Sequence, residues 1–294
     1  MVSFEMSENK IQKRVRQFYD EVGWQKVDNS LYQNAQFEDL RPVSNEYIHR
    51  CHLRVNRYLK STGKFMLDAG SGPVQYPEYL TYSAGYKYRV CLDISFIALL
   101  DARERLKRHG LYVLADVTNL HFPMGAFDGT VSLHTLHHLT IDDQVEAHYE
   151  IYRTLSPGAC GVIVNGWQKS LLMQKLNRLM AFIERITMPS KKQVQKDILK
   201  RNDSAALERG TPDRTFVDEI NAPFLKEKFA GRIPMEIFVW RSVNVRFLRT
   251  LIHPWLGGRY WLKILYWLEG RFPHYLGEYG AYPLIVLKKQ VVID

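Results

Sequence analysis

Three aspartates each close a short apolar run, and their surroundings suit three different parts of one ligand. In "LDAGSGP", Asp68 precedes Gly70, Ser71 and Gly72. Glycines there permit a tight turn and close backbone approach, and their amides can meet a carboxylate or phosphate. A carboxylate at Asp68 can anchor the turn or accept from a ligand ammonium, whereas it would repel a pyrophosphate. In "YRVCLDIS", Asp93 ends the next run, beside Ile94, where it can accept both hydroxyls of a ribose. In "VLADVTNLHF", Asp116 lies beside Val117 and could accept from an exocyclic adenine amine. A ligand with an amino-acid end, a ribose and an adenine satisfies all three. A nicotinamide dinucleotide does not, because its fingerprint wants glycine where this chain has Gln75.

Those are the groups of S-adenosylmethionine, and here the sequence resembles a known family, the class I S-adenosylmethionine-dependent methyltransferases, in the branch that includes small-molecule and lipid-quinone methyltransferases. "LDAGSGP" resembles its glycine loop and "CLDIS" its ribose-binding strand end. "ADVTNLHFPMGAFDGTVSLHTLHHL" resembles its third and fourth strand region, and "IYRTLSPGACGVIV" its helix, turn and fifth strand. The resemblance spans residues 64–165. It implies S-adenosylmethionine as cofactor. Asp68, Gly70, Ser71 and Gly72 would cradle the methionine part, Asp93 and Ile94 the ribose, and Asp116 and Val117 the adenine. His134 would lie near the methionine end. "QFYDEVG" resembles the tyrosine–aspartate segment at the start of many such enzymes, which would make Tyr19 the candidate for closing over that end, though an amphipathic packing helix also explains it. One departure is visible: the family's third glycine is replaced by Val74, after Pro73, and proline stiffens the turn.

A sulfonium methyl is already electrophilic, so such an enzyme chiefly aligns a nucleophile in line with it and excludes water. A hydroxyl acceptor benefits from a general base. "SLHTLHHL" offers His134, His137 and His138 after a strand end, and His134 and His138 are the candidates for base or acceptor-positioning group. Capping and packing of the turn also explain them. Their spacing with Asp142 or Asp143 admits a metal site only if the segment is helical, and no metal is expected. In "QYPEYL", Tyr76, Glu78 and Tyr79 stand near the cofactor mouth, as packing or as substrate contacts. Phe18, Tyr19, Trp24 and Tyr32 would fold over the cofactor.

The elements that must position these residues alternate. "ENKIQKRVRQFYDEVGW" sets Ile11, Val15, Phe18 and Val22 on one helical stripe. A second helix is predicted in "SNEYIHRCHLRVNRYLKSTG", capped by Ser44 and closed by Gly63. Five strand patterns then alternate with helices or loops, and two more appear in "MEIFVWRSVNV" and "YPLIVLKK". The fold class is α/β: a doubly wound, mostly parallel, Rossmann-like sheet of seven strands with helices on both faces. The predicted organisation is an N-terminal helical cap (1–63), a cofactor-binding core (64–165), a helical insertion or lid (166–235) and a C-terminal part (236–294) completing the same domain.

Composition bounds the partners. The chain has 294 residues, 46% of them hydrophobic and 24% charged, enough for a sizeable core. Cys51, Cys91 and Cys160 show no metal-ligand spacing and are expected as reduced, mostly buried thiols. No apolar run is long enough to span a bilayer. Residues 1–164 carry 18 basic and 19 acidic side chains, whereas residues 165–294 carry 22 and 12. That excess suits an acidic substrate, anionic lipid or nucleic acid, as well as a merely solvated surface. The segment 254–282 crowds tryptophans and tyrosines beside Arg259, Lys263 and Arg271. It suits a membrane interface, a lipid-tailed substrate, a sugar or single-stranded RNA, or burial of the stripe Trp261, Leu265 and Leu268. The expected reaction is O-methylation of a small molecule such as a lipid or glycoside, in the cytoplasm or at its membrane surface. A nucleic-acid methyltransferase lacks support from a "PPY"-type amine site, and a non-catalytic cofactor-binding module is the other alternative.

Overall fold

A computed structural model describes residues 2–28, 31–167, 169–187 and 215–291. In the first segment α1 (Val2–Phe18) runs into a wider turn over Tyr19–Gly23, and β1 (Lys26–Asp28) pairs with β2 (Leu31–Tyr32) in a small antiparallel ribbon. Val15 and Phe18 of the predicted stripe are buried. The second helix is shorter than its pattern predicts: α2 covers Asn45–Leu53 and tightens into a 3-10 turn over Arg54–Arg57. Ser44 does not cap it. Its hydroxyl donates to Asp39 Oδ2 at 2.7 Å, because the buried Asp39 carboxylate is the stronger acceptor within reach.

The alternating region follows as β3 (Gly63–Ala69), α3 (Pro77–Thr81), β4 (Tyr86–Asp93), α4 (Phe96–Leu106), β5 (Gly110–Leu114), β6 (Gly129–Leu133), α5 (Ile141–Thr154) and β7 (Cys160–Val164). Then come α6 (Leu171–Thr187), α7 (Ala222–Phe229), β8 (Met235–Arg241), α8 (Val245–Leu251), α9 (Gly258–Arg271), α10 (Pro273–Tyr279) and β9 (Tyr282–Lys288). The predicted helix of the insertion is α6; the polar stretch after it, residues 188–214, lies outside the described residues.

Seven strands form one sheet in the order β5-β4-β3-β6-β7-β9-β8. The first five are mutually parallel, and β9 is antiparallel to both β7 and β8. Helices cover both faces, so the central strands are buried on both sides and read as continuous apolar runs. Met66 and Leu67 are both fully buried, and each apolar side chain so placed stabilises the fold by about 1.5–3 kcal/mol. After β3 the chain moves outward through β4 and β5, then returns to place β6 on the other side of β3. The carboxyl ends of β3 and β6 therefore flank the switch point where open sheets of this kind bind ligands. Among the described residues no helix is long and apolar enough to cross a membrane. All three cysteines are free thiols, Cys51 and Cys91 buried and Cys160 half-buried.

Candidate active site

A cavity of about 370 Å³ opens at that switch point, a size that suits a small ligand. The loop after β3 forms one wall. Gly70 (φ +75°) and Gly72 (φ +53°) adopt left-handed backbone, and a Cβ on Gly70 would sit 2.1 Å from the Thr135 methyl. Val74, where the family's third glycine would stand, also adopts φ +53°, unusual for a β-branched residue. Its side chain is fully buried, and Arg105 donates to its carbonyl at 3.0 Å; packing and this bond hold a conformation that glycine would reach without strain.

Asp93 ties that loop to the next strand. Its Oδ2 accepts from the Gly72 amide and its Oδ1 from the Ser95 amide, both at 2.8 Å. Burial nevertheless pushes its carboxyl up to about 6. Asp116 accepts from the Thr118 amide at 2.9 Å and from the Gln12 side chain at 2.6 Å, so α1 reaches across to the end of β5. Gly70, Ser71, Gly72, Asp93, Ile94, Asp116, Val117, Tyr19, His134 and His138 all line the one cavity.

Asp68 does not line it and takes the first of its two expected roles, anchoring the turn. It is buried beneath the loop, where Arg89 of the neighbouring strand donates to its Oδ2 from Nε at 3.0 Å and also from Nη2. The same guanidinium donates to the Tyr79 carbonyl at 2.5 Å, so the pair fixes the loop's underside, outside the cavity lining.

The histidines divide by their partners. His138 Nδ1 donates to the Phe216 carbonyl at 2.8 Å, which leaves Nε2 to accept from the Tyr19 hydroxyl at 2.6 Å. Burial lowers His138 to about 4, so the ring is neutral and both nitrogens are engaged. Tyr19 also stacks on Trp24, which lies over Gly72. His137 faces Asn165 across 3.3 Å, and burial holds it well below the ordinary histidine value. His134 sits in left-handed backbone (φ +55°) at the end of β6, its amide donating to the Val164 carbonyl at 2.7 Å. Burial, then the nearby Arg241 charge, lower its imidazole to about 3. Among the described residues no three His, Cys, Asp or Glu side chains are gathered to hold a metal ion.

The other wall comes from residues the motifs do not announce. Arg241, only 2% exposed at the end of β8, donates from Nη1 to Glu38, and its guanidinium lies over the Trp240 and Tyr282 rings. Burial alone would raise the Glu38 carboxyl, but Arg241 and His52 hold it well below the usual range. Tyr76, Tyr79, Tyr282 and Glu219 complete this wall. Burial and Asp218 raise the Glu219 carboxyl. Arg241 Nε and both ring nitrogens of His52 are buried without a hydrogen-bond partner. Of the other expected contacts, Phe18 and Trp24 line the cavity. Glu78 is occupied by His49, and Tyr32 donates to Asp101 at 2.9 Å.

Comparison with known proteins bears on the fold and on the central segment. Residues 67–163 match the family described as "Methyltransferase domain". The [4+2]-cyclase SpnF has 17% identity and a TM-score of 0.52, with 96% of this chain and 97% of that one covered. A complex containing the Haloferax volcanii Trm112 methyltransferase activator has 13% identity and a TM-score of 0.52, covering 84% and 92%. The Bacillus subtilis YcgJ protein has 13% identity and a TM-score of 0.48, covering 83% and 99%. At such identities the first two likenesses concern the fold alone. No curated protein matches the chain in sequence. The matched segment, residues 67–163, carries the glycine loop, the Asp93 and Asp116 strand ends and the histidine turn, and this part of the chain is an S-adenosylmethionine-dependent methyltransferase domain.

Proposed function

We propose that the protein transfers the methyl group of S-adenosylmethionine to an oxygen of a small-molecule acceptor held against Glu38, Arg241, Tyr76 and Tyr282. The observation that carries this reading is the division of one cavity into two kinds of wall. A glycine-loop wall with Asp93 and Asp116 suits the cofactor; an aromatic wall with a buried ion pair suits a second molecule. Gly70, Ser71 and Gly72 would cradle the methionine part, Asp93 and Ile94 the ribose, and Asp116 and Val117 the adenine. The Asp93 oxygens retain lone pairs for ribose hydroxyls after meeting Gly72 and Ser95. Gln12 would yield its place on Asp116 to the adenine amine.

When bound, the cofactor supplies an electrophilic methyl; the chain supplies alignment and dryness. Tyr19, held by His138 and stacked on Trp24, closes the methionine end. His138 thereby acts on Tyr19 and has no nitrogen left for an acceptor. His134 has no such engagement, and its depressed basicity suits a neutral ring that orients an acceptor hydroxyl better than a strong base. The acceptor class we favour includes lipids and glycosides, met in the cytoplasm or, for a lipid, at the membrane surface.

Incubation of cell extracts with the protein and methyl-labelled cofactor, read by mass spectrometry, should give a labelled small molecule together with S-adenosylhomocysteine. Cofactor binding without any labelled product would sink the reading in favour of a non-catalytic module. Calorimetry on Asp93→Ala tests the cofactor wall: affinity should fall about 10- to 100-fold, the loss of hydrogen bonds to a charged group. Unchanged affinity would overturn the ribose assignment.

A further inference from the structure

The helix α9 turns Gly258, Leu262 and Glu269 inward and leaves its aromatic face outward. Trp261 and Trp267 are 56% and 64% exposed, Tyr260 is 66% exposed, and Trp255, just before the helix, is 77% exposed. Burial of the stripe Trp261, Leu265 and Leu268, which the helical spacing predicts, holds only for the two leucines, and those are half-buried. The tryptophans face water because Leu262 and Glu269 already fill the inward side of the helix.

The charges on this outer face have one sign. Arg259, Lys263 and Arg271 are exposed, and the one acidic residue between positions 252 and 272 is Glu269. It is fully buried and committed to Arg54, Tyr47 and Ser242. Beside the helix, a groove of about 350 Å³ is lined by Arg50, Arg259, Lys263, Asn45, Glu46 and Tyr266. Glu46 pairs with Arg50 at 3.0 Å, so the cations of Arg259 and Lys263 are the groove's uncompensated charges among the described residues.

We propose that the outward face of α9 docks on an anionic membrane, with the groove taking a lipid phosphate. Tryptophan and tyrosine combine an apolar body with a polar edge and settle at the headgroup level, while flanking cations meet the negative surface. A second copy of the chain fits less well: a two-fold contact through this face would gather both copies' Arg259, Lys263 and Arg271 into one interface with no acidic residue of the face to offset them. The proposal rests on and deepens the lipid-acceptor reading above, and its test uses neither cofactor nor acceptor.

Sedimentation with vesicles should capture the full chain on phosphatidylcholine containing phosphatidylserine, and far less on phosphatidylcholine alone. High salt should release it. Trp261→Ser with Trp267→Ser should weaken capture at least tenfold, and Arg259→Glu with Lys263→Glu at least about twentyfold, since each basic residue near such a surface is worth about fivefold. Both variants change exposed side chains and should keep wild-type melting and cofactor affinity. Equal capture by both vesicle types, or capture untouched in the variants, would overturn the proposal. So would a dimer that the Trp267→Glu change splits, or an RNA that displaces the vesicles from this face. A wild-type chain that transfers methyl yet binds no vesicle would remove this proposal and leave the proposed function standing.

Discussion

Two buried ion pairs meet the same stretch of chain around β8, yet they are built differently. Arg54 donates to Glu269 at 2.8 Å and to the Trp240 carbonyl at 2.6 Å. Glu269 also accepts from the Tyr47 hydroxyl, the Ser242 amide and the Ser242 hydroxyl at 2.6–2.8 Å. The neighbouring pair, Glu38 with Arg241, faces the cavity, and Arg241 Nε and the adjacent His52 nitrogens have no hydrogen-bond partner. A saturated network specifies a structure; an unsaturated one on a cavity wall keeps hydrogen-bonding capacity for a ligand.

The widest separation between the pairs should appear in stability and activity taken together. Glu269→Ala strands Arg54, Tyr47 and the Ser242 amide, and should cost about 3–5 kcal/mol in urea unfolding. The protein that remains folded should bind cofactor as before. Arg241→Met should cost less, about 1–3 kcal/mol, because Glu38 keeps the Asp39 amide at 3.1 Å and can take up a proton. Its methyl transfer, by contrast, should fall about 100-fold or more. Adding Glu38→Gln should return most of the stability, since a neutral pair in an aromatic setting carries little desolvation cost, without restoring activity. Equal stability losses for the two arginine–glutamate pairs, or recovered activity in the double variant, would erase the distinction.

The two walls of the cavity are unequally legible in the sequence for a related reason. The proposed cofactor wall is local: loop and strand ends follow apolar runs, so Gly70, Gly72, Asp93 and Asp116 announce themselves, and the strand–helix alternation fixes which edge they share. The proposed acceptor wall joins Glu38, Tyr76, Glu219, Arg241 and Tyr282 from segments far apart. None belongs to a motif. One signal is present: an arginine inside an apolar strand, as in "IFVWRS", requires a buried acidic partner. The same signal in "YRVCLD" points to the Arg89–Asp68 pair, which holds Asp68 outside the cavity lining. Ser44 and Trp261 depart from their local patterns where tertiary contacts outweigh them, through Asp39 in one case and through the inward Glu269 in the other.

Acidity should sharpen the contrast further. Glu38 is held below its ordinary value, so its contribution is complete above the unfolded carboxylate range and is lost only as pH falls through the lower folded value. Asp93, raised to about 6, has the opposite sign: stability of the free chain declines as pH rises from about 4 to 6, because the folded state retains the proton longer. Ribose hydroxyls need the ionised carboxylate, so cofactor affinity should weaken up to about tenfold per pH unit below 6, measurable by calorimetry. Affinity that is flat from pH 5 to 7 would show that Asp93 does not titrate there.

The smallest effect belongs to one of the contacts that join the N-terminal segment to the proposed cofactor wall. Tyr19→Phe removes the hydroxyl that donates to His138 Nε2, while the ring can still stack on Trp24. His138 would retain its bond to the Phe216 carbonyl and remain neutral, so no buried charge is exposed and the loss should be about 1 kcal/mol. Cofactor affinity should fall about fivefold, with no new inflection in the pH profile between 6 and 8, because neither His134 at about 3 nor His138 at about 4 titrates in that range. A larger loss, or a histidine-like inflection, would mean that the hydroxyl governs the protonation of His138 itself. His138 would then join Glu38 and Arg241 among the groups whose charge the cavity controls, and the boundary between its two walls would have to be redrawn.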